Sequence, residues 1–449
     1  MRKVLFISLG CDKNLADSEE MLGMLVTHGY EITNDETEAN VAIINTCAFI
    51  HDAKEESINT ILEMAQYKEQ NLKALVVAGC LAERYKDEIL KEIPEIDAVL
   101  GTTSYDSIVE AVNMALAENA GEHFEHYESI DYLPDNSEVE RVVTTGNHMA
   151  YLKIAEGCDK RCSYCIIPKI RGRFRSVPMQ ELLNEAKRLA SEGVKELVLV
   201  AQETTLYGKD LTGEKQLPLL LHELCKIEGI EWIRLLYCYP EEITDELIKV
   251  IKTEEKVCNY IDMPIQHSEN RILQRMGRRT SREDLVAVIK KLRKEIPDIT
   301  IRTTLITGFP GESQEDHEGL MNFVEECQFD RLGVFTYSPE EDTLAATFED
   351  QIDEEVKEER RDELMSLQQE ISYEHTQQLV GKTIKVMVEG YLFEDDIYVG
   401  RSYMDAPKVD GCVFINSPEE LMTGDFVYVK ITQGREYDVI GEVDYEFTK

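Results

Sequence analysis

Three thiols fall within eight residues, at Cys158-Asp-Lys-Arg-Cys162-Ser-Tyr-Cys165. The segment before them, AYLKIAEG, is apolar and β-rich, so the thiols occupy the loop after a predicted strand. A structural zinc site wants a fourth Cys or His close by. Here the nearest histidine, His148, lies on the far side of the preceding strand, and the next cysteine is Cys225. Three thiolates with no local fourth ligand suit a cubane 4Fe–4S cluster with one iron left open. An open iron binds a small molecule, which a plain electron carrier does not need. Zinc and coincidental core cysteines stay as alternatives.

A second trio is dispersed. Cys11, Cys47 and Cys80 each follow a predicted strand, in VLFISLG, VAIINT and ALVVAG. Parallel strands of one sheet end on the same edge, and ligands bind there. The thiols therefore converge, although more than thirty residues separate each from the next. Asn14, Asn45 and Thr46 place polar groups beside them. Three buried cysteines are the alternative. The other five, Cys225, Cys238, Cys258, Cys327 and Cys412, are scattered and read as core fillers, with Cys238 alone at a strand end of the central domain. Eleven cysteines in 449 residues are too few for a disulfide scaffold.

The elements that position these thiols predict an α/β multidomain chain. Residues 1–118 alternate strand and helix, with helical patterns over 17–28 and 52–67, as an N-terminal parallel α/β sheet domain does. Residues 119–143 are polar and acidic, a linker with one edge strand. Residues 144–379 carry six predicted strands, AYLKIAEG, ELVLVAQ, WIRLLY, YIDMPIQ, TIRTTLITGF and RLGVFTY. Helical patterns such as 179–192 and 281–295 lie between them, at a strand spacing of roughly thirty to forty residues. Six units make a partial (β/α)6 barrel, short of the eight of a closed one. A charged helix covers 352–379. Residues 380–449 hold five short strands, TIKVMVEG, IYVGRSY, CVFINS, DFVYVKITQG and DVIGEV, which suit a small β-barrel.

The loop CDKRCSYC resembles the cluster motif C-x-x-x-C-x-x-C of the radical S-adenosylmethionine superfamily. Nearly the whole chain resembles the methylthiotransferase family within it. GCDKNLADSEEM, NTCAFI and GCL match that family's first domain. EGCDKRCSYCIIPKIRG, DMPIQHSENRILQRMGR, TLITGFPGE and TYSPEEDT match its central domain, and the C-terminal barrel resembles its TRAM domain. One branch modifies tRNA beside the anticodon. Another adds a methylthio group to the β-carbon of an aspartate in the twelfth small-subunit ribosomal protein. GCDKNLADSE, NTCAFI and GRSYMDAPKVDG resemble the second branch, whereas the tRNA branch usually reads GCQMNxxDS. Thr307 stands where valine is frequent.

The resemblance implies two 4Fe–4S clusters and S-adenosylmethionine as cofactors. Cys158, Cys162 and Cys165 would hold the cluster that binds S-adenosylmethionine through its open iron. One electron then yields methionine and a 5′-deoxyadenosyl radical, which removes a hydrogen from an unactivated carbon. Cys11, Cys47 and Cys80 would hold the cluster whose sulfur is methylated and transferred. Gln202 and Glu203, at the end of the second central strand, would contact the methionine amino group; an ordinary polar strand end is the alternative. Gly308, opening GFPGE, would allow close backbone approach to the cofactor, or serve a simple turn. Gln266 and His267 end the fourth strand. Arg171 and Arg173, in a basic run, would pair with a carboxylate of cofactor or substrate, or stand in a solvated loop. Arg271, Arg275, Arg278 and Arg279 form a second patch, for ribosomal RNA or for facing acidic helices.

Charge bears on the partner. Lys plus Arg is 48 and Asp plus Glu is 88, a net charge of −40. Such a chain repels bare nucleic acid. Residues 380–449 alone hold seven basic and fourteen acidic side chains. An RNA-binding barrel should be basic, so RNA contact is not favoured. A basic small-subunit ribosomal protein suits this surface better, and an acidic face with no partner is the alternative. A reducing flavodoxin- or ferredoxin-like donor is also expected. No apolar run reaches about 18 residues without a charge, so no transmembrane helix is expected. MRKVLFISLG reads as a first strand rather than an export signal, and the expected location is cytoplasmic. Two other functions compete: a tRNA methylthiotransferase, and a zinc-stabilised binding protein without catalysis.

Overall fold

The computed structural model describes residues 2–86, 88–117, 123–135 and 139–446. The first sheet has six strands, in the spatial order Glu31–Thr33, Lys3–Ser8, Val41–Thr46, Ala74–Gly79, Ala98–Leu100 and Phe124–His126. All five pairings are parallel. Val41–Thr46 and Ala74–Gly79 are buried along their whole length, as a sheet covered on both faces requires. Met21, Leu25, Ile108 and Val112 pack on one face, and Ile61, Met64 and Leu81 on the other. The edge strand expected within 119–143 is Phe124–His126, and it extends this sheet. Two three-residue strands, Glu31–Thr33 and Ala98–Leu100, were too short to show a period in the sequence.

The six central strands stand where the sequence places them. Met149–Lys153, Glu196–Val200 and Trp232–Leu235 form one parallel half; Tyr260–Asp262, Thr300–Thr307 and Arg331–Thr336 form the other. The halves join where Ile233 bridges Val257 in parallel and the Cys258 N–H donates to the Ile233 carbonyl at 2.9 Å. The result is an open arc. Alternate residues face opposite ways along its strands. Ala150, Leu152, Leu197, Leu199, Ile233 and Leu235 pack against the surrounding helices, whereas Met149, Tyr151, Val198, Val200 and Trp232 face inward.

The C-terminal strands, Thr383–Leu392, Ile397–Ser402, Val413–Asn416, Phe426–Gly434 and Val439–Val443, close into a five-stranded barrel. The long helix Glu354–Gln377 leads into it. The barrel fills the inner face of the arc with Met387, Ala406 and Phe426, and the Phe426 ring meets Trp232 edge-on at 4.8 Å. Glu196 accepts from Arg234 at 2.8 Å and from Arg401 of the barrel at 2.6 Å. Arg331 pairs with Asp405 at 2.6 Å and Arg302 with Asp410 at 3.3 Å. Glu196, Trp232 and Tyr260 each open a strand, so the barrel plugs the amino ends and leaves the carboxyl ends to the cysteines.

One helix differs from its expected bounds. The sequence predicts a start at Asp17, and the helix runs Asp12–Thr27. Lys13, Asp17, Glu19 and Glu20 are buried on it; Lys153 and Arg171 of the central domain pair with Asp17, and Arg141 of the preceding linker pairs with Glu19. A face that looks solvated in the sequence is an interdomain face.

Candidate active site

The first trio stands at the carboxyl edge of the first sheet. Cys11 caps the helix Asp12–Thr27, Cys47 follows Val41–Thr46, and Cys80 opens the short helix Cys80–Arg84. Asn14 ties the three loops together. Its Nδ2 donates to the Leu9 carbonyl at 3.0 Å and the Thr46 carbonyl at 2.9 Å, and its Oδ1 lies 3.9 Å from the Cys80 sulfur. Asn45 donates to the Asn14 carbonyl at 2.9 Å, and Thr46 Oγ1 donates to the Ala78 carbonyl at 2.6 Å. Gly10 has φ +86°, and a Cβ there would stand 2.7 Å from Cys47 Cβ. Burial pushes the Cys80 thiol up to about 12 and raises Cys47, with neighbouring thiols of the trio adding to both.

The second trio follows the two-residue strand Ala155–Glu156, which pairs antiparallel with Arg175–Ser176. Gly157, at φ +77°, brings the backbone against the Arg173 carbonyl, where a Cβ has no room. The Cys158 N–H donates to the Gly172 carbonyl at 3.1 Å, and the Cys165 N–H to the Cys162 carbonyl at 3.1 Å. Ser163 anchors the loop to the end of the helix Asn270–Arg275, through its Oγ to the Arg275 carbonyl at 2.7 Å and its N–H to the Met276 carbonyl at 2.9 Å. Burial pushes Cys158 up to about 12 and raises Cys165. Among the described residues, no three His, Cys, Asp or Glu side chains stand close enough to hold one metal ion. A tetrahedral zinc needs that closeness, whereas a cubane spreads its ligands over separate irons.

Two bridges join the trios. Arg171, 2 % exposed, donates toward the Cys80 sulfur at 3.5 Å and also bonds Asn14 Oδ1. Its other arm reaches Asp17 at 2.8 Å and Glu156 at 3.0 Å. Glu156 precedes Gly157 and Cys158 and accepts from Gln202 at 2.7 Å. Despite its burial, Arg171 and Lys153 hold the Glu156 carboxyl well below the usual carboxylate range. The second bridge is the strand end Tyr237–Tyr239. The Tyr237 hydroxyl donates to Asp12 at 3.0 Å beside Cys11, and the Tyr239 hydroxyl lies 4.0 Å from the Cys162 sulfur. Tyr237 and Gln266 have φ +59° and +74°, strained values that cluster at this end of the arc.

With this geometry in view, the comparisons with known proteins are direct. Residues 3–101 match the uncharacterized protein family UPF0004, residues 152–324 the radical SAM superfamily, and residues 380–443 the TRAM domain. A ribosomal protein uS12 methylthiotransferase RimO of Lachnoclostridium phytofermentans is 60% identical over 443 residues, covering 98% of this chain and 100% of the relative. The chain belongs to the RimO family. RimO proteins of Acetivibrio thermocellus and Clostridium perfringens are each 52% identical and cover 100% of this chain and 100% and 99% of their own. The chain is thus a radical S-adenosylmethionine methylthiotransferase of the uS12-directed branch rather than the tRNA branch or a non-catalytic zinc protein. In fold it is similar to the radical S-adenosylmethionine methyltransferase TsrM of Kitasatospora setae, with a TM-score of 0.56 and 14% identity, covering 85% of this chain and 79% of that one. It is similar in fold also to the radical enzyme OxsB, with a TM-score of 0.52, 12% identity and coverage of 82% and 56%.

The other residues singled out in this RimO-family sequence fall in unlike places. Glu203 is buried beside Lys160, 3.7 Å away, and burial pushes its carboxyl up to about 7. Its Oε2 and the Oε1 of Gln202 have no hydrogen-bond partner among the described residues. Gly308, at φ +68°, turns its bare side to Lys357 of the long helix. Arg171 is paired with the protein's own carboxylates, Asp17 and Glu156, while Arg173 is exposed near Asp159 at 3.6 Å. His267 is buried and faces Glu312 at 3.6 Å. In the second basic patch, Arg271 and Arg275 anchor Asp316 and Asp350.

Arg278 turns inward instead. It is 7 % exposed, its guanidinium lies 4.3 Å from the centre of the Tyr239 ring, and its Nε and Nη1 have no hydrogen-bond partner among the described residues. Sequence reasoning placed it on a surface patch. The residues it missed outright, Lys13, Glu156, Tyr237 and Tyr239, share one recoverable signal: each lies within two residues of a cysteine or at a predicted strand end. No helix of the described residues is long and apolar enough to cross a membrane.

Proposed function

We propose that this enzyme adds a methylthio group to the β-carbon of an aspartate in ribosomal protein uS12. The two cysteine trios set at adjoining strand ends, bridged by Arg171–Glu156 and by Tyr237–Tyr239, carry this reading. Three cysteines per trio suit a 4Fe–4S cluster with an open iron. Cys11, Cys47 and Cys80 would hold one cluster, and Cys158, Cys162 and Cys165 the other. When bound, the clusters and S-adenosylmethionine supply reductive radical chemistry, a methyl group and sulfur.

The chain's own groups do the positioning. Glu203, with an unpartnered oxygen, takes the amino group of S-adenosylmethionine. Arg278, which lies over the Tyr239 ring with two nitrogens that have no hydrogen-bond partner among the described residues, takes its carboxylate. Gln202 joins this pocket to Glu156 and so to the first trio. Burial of four of the six thiols keeps water from the reacting centre. A ribosomal substrate places the enzyme in the cytoplasm. The acidic surface suits a basic ribosomal protein, and a flavodoxin- or ferredoxin-like donor supplies electrons.

The test is anaerobic reconstitution of the enzyme with iron and sulfide, then incubation with reductant, S-adenosylmethionine and either uS12 or tRNA. The expected product is uS12 with the mass gain of one methylthio group. Product on tRNA alone would overturn the reading. Cys162→Ala should abolish deoxyadenosine formation, whereas Cys47→Ala should retain part of it and yield no methylthiolated uS12.

A further inference from the structure

Buried cations around the two trios meet carboxylates at close range. Arg171 meets Asp17 and Glu156 at 2.8 and 3.0 Å, Lys160 meets Glu242 at 2.6 Å, and Arg141 meets Glu185 at 2.7 Å. Lys153 pairs with the same two carboxylates as Arg171. Lys13 departs from this pattern. It is 6 % exposed, and the ion-pair partner it has among the described residues, Asp12, lies 3.9 Å away, beyond hydrogen-bond reach. Asp12 Oδ1 is engaged by the Tyr237 hydroxyl at 3.0 Å. The Lys13 ammonium rests 3.4 Å from the centre of the Tyr237 ring, with the Tyr237 hydroxyl and the Cys11 thiol as its further neighbours.

Removing an ammonium from water is costly unless a close partner replaces the water. An aromatic face offsets only part of that cost and leaves donors over, because an ammonium has three. The location says what the missing partner is. Lys13 stands two residues past Cys11, in the first turn of its helix. Tyr237 lies two residues past the third central strand and two residues before Tyr239, whose hydroxyl approaches Cys162. The ammonium therefore lies where the two trios adjoin. Its platform is a tyrosine held at φ +59°, a conformation that bulky residues seldom keep without a functional reason.

We propose that Lys13 receives the side-chain carboxylate of the acceptor aspartate, with Tyr237 as its platform. The carboxylate carbon is bonded directly to the β-carbon, so an ion pair at Lys13 fixes the reacting carbon where the trios adjoin. An amide or a nucleobase offers no charge to this ammonium and leaves it underpaired, which makes Lys13 a specificity residue. No bond is made or broken at Lys13. The inference rests on the uS12 aspartate reading given above.

The test uses full-length reconstituted enzyme as wild type, Lys13→Gln and Lys13→Met. Two isolated uS12 proteins are compared, one native and one with asparagine at the acceptor position. Iron and sulfide are counted first, and each uS12 is then titrated against each enzyme to give a Kd. Product is followed by mass spectrometry. Wild type is expected to favour the aspartate form by about tenfold or more, the ratio that a charge-assisted hydrogen bond supports. Both variants should carry wild-type iron and lose most of that preference. A wild-type preference surviving in both variants would overturn the inference. So would loss of iron in both, because Lys13 would then serve the metal site. Failure of the wild type to modify native uS12 would instead overturn the aspartate reading.

Discussion

Arg171 holds the Cys80 sulfur with one nitrogen and two carboxylates with the other. Its guanidinium is buried, so removing it leaves Asp17 and Glu156 with Lys153 as their shared cation. Breaking a buried ion pair by deleting one partner costs about 3–5 kcal/mol. Arg171→Met should lower the stability against denaturant by that amount. In a background without Cys158, Cys162 and Cys165, the same change should reduce the iron retained by the first trio, read by iron analysis after gel filtration. At this scale the six cysteines were legible because strand-end position and spacing are written in the chain. Arg171 and Arg278 were not, since both belong to basic runs whose neighbours Arg173 and Arg279 are exposed. The sequence shows a run of charge but not which member turns inward. The inward ones are those with a carboxylate network or an aromatic ring waiting behind them.

Short connections set the thiols, and glycines set the connections. Gly10 needs its positive φ, and its missing Cβ makes room for Cys47 at 2.7 Å. Gly10→Ala forces either the backbone or Cys47 to move, at about 1–3 kcal/mol for the dihedral alone. Iron at the first trio should fall, whereas deoxyadenosine formation, assigned to the second trio in the proposed function, should persist. Loss of both together would show that the loop supports the whole site rather than one trio. The helix that follows Gly10 teaches why its start was misplaced. Helix periodicity is read from apolar residues facing a core. The first turn here buries Lys13 and Asn14 and the next buries Asp17 and Ser18, with Lys13 and Asp17 facing the central domain and Asn14 and Ser18 bonding within their own sheet domain. Polar burial of that kind carries no hydrophobic period. Helices whose inner faces are apolar, such as Met179–Ser191, fall within a residue of their expected ends.

Across the whole molecule, six central strands and five barrel strands were visible as apolar runs between turn signals, because each buries a face in its own domain. How the domains meet was not visible, because charge makes the joints. Glu196 shows this best. Burial opposes its ionisation, yet Arg401 and Arg234 hold its carboxyl down at about 2, against an ordinary value of 4.5. Between those values the unfolded chain binds the proton and the folded one does not. The stabilisation, about 3 kcal/mol, is complete above the ordinary value and is lost as pH falls toward 2. Trp232, the one tryptophan, packs against Phe426 in this joint, so its fluorescence reports whether the barrel is docked. Acid titration of wild type should undock the barrel below about pH 4.5, and Glu196→Gln should shift the emission already near neutral pH. An emission unchanged in Glu196→Gln would mean that apolar contact alone keeps the barrel in place.

Synthesis on the ribosome runs from the amino end, at about 5–20 residues per second. Cys80 is therefore made 91 residues ahead of the arginine that steadies its sulfur. A nascent first sheet emerges before Arg171, the Cys80 sulfur's partner, has been made. A chain ending at residue 135 should accordingly take up less iron per trio than the full chain under identical anaerobic loading.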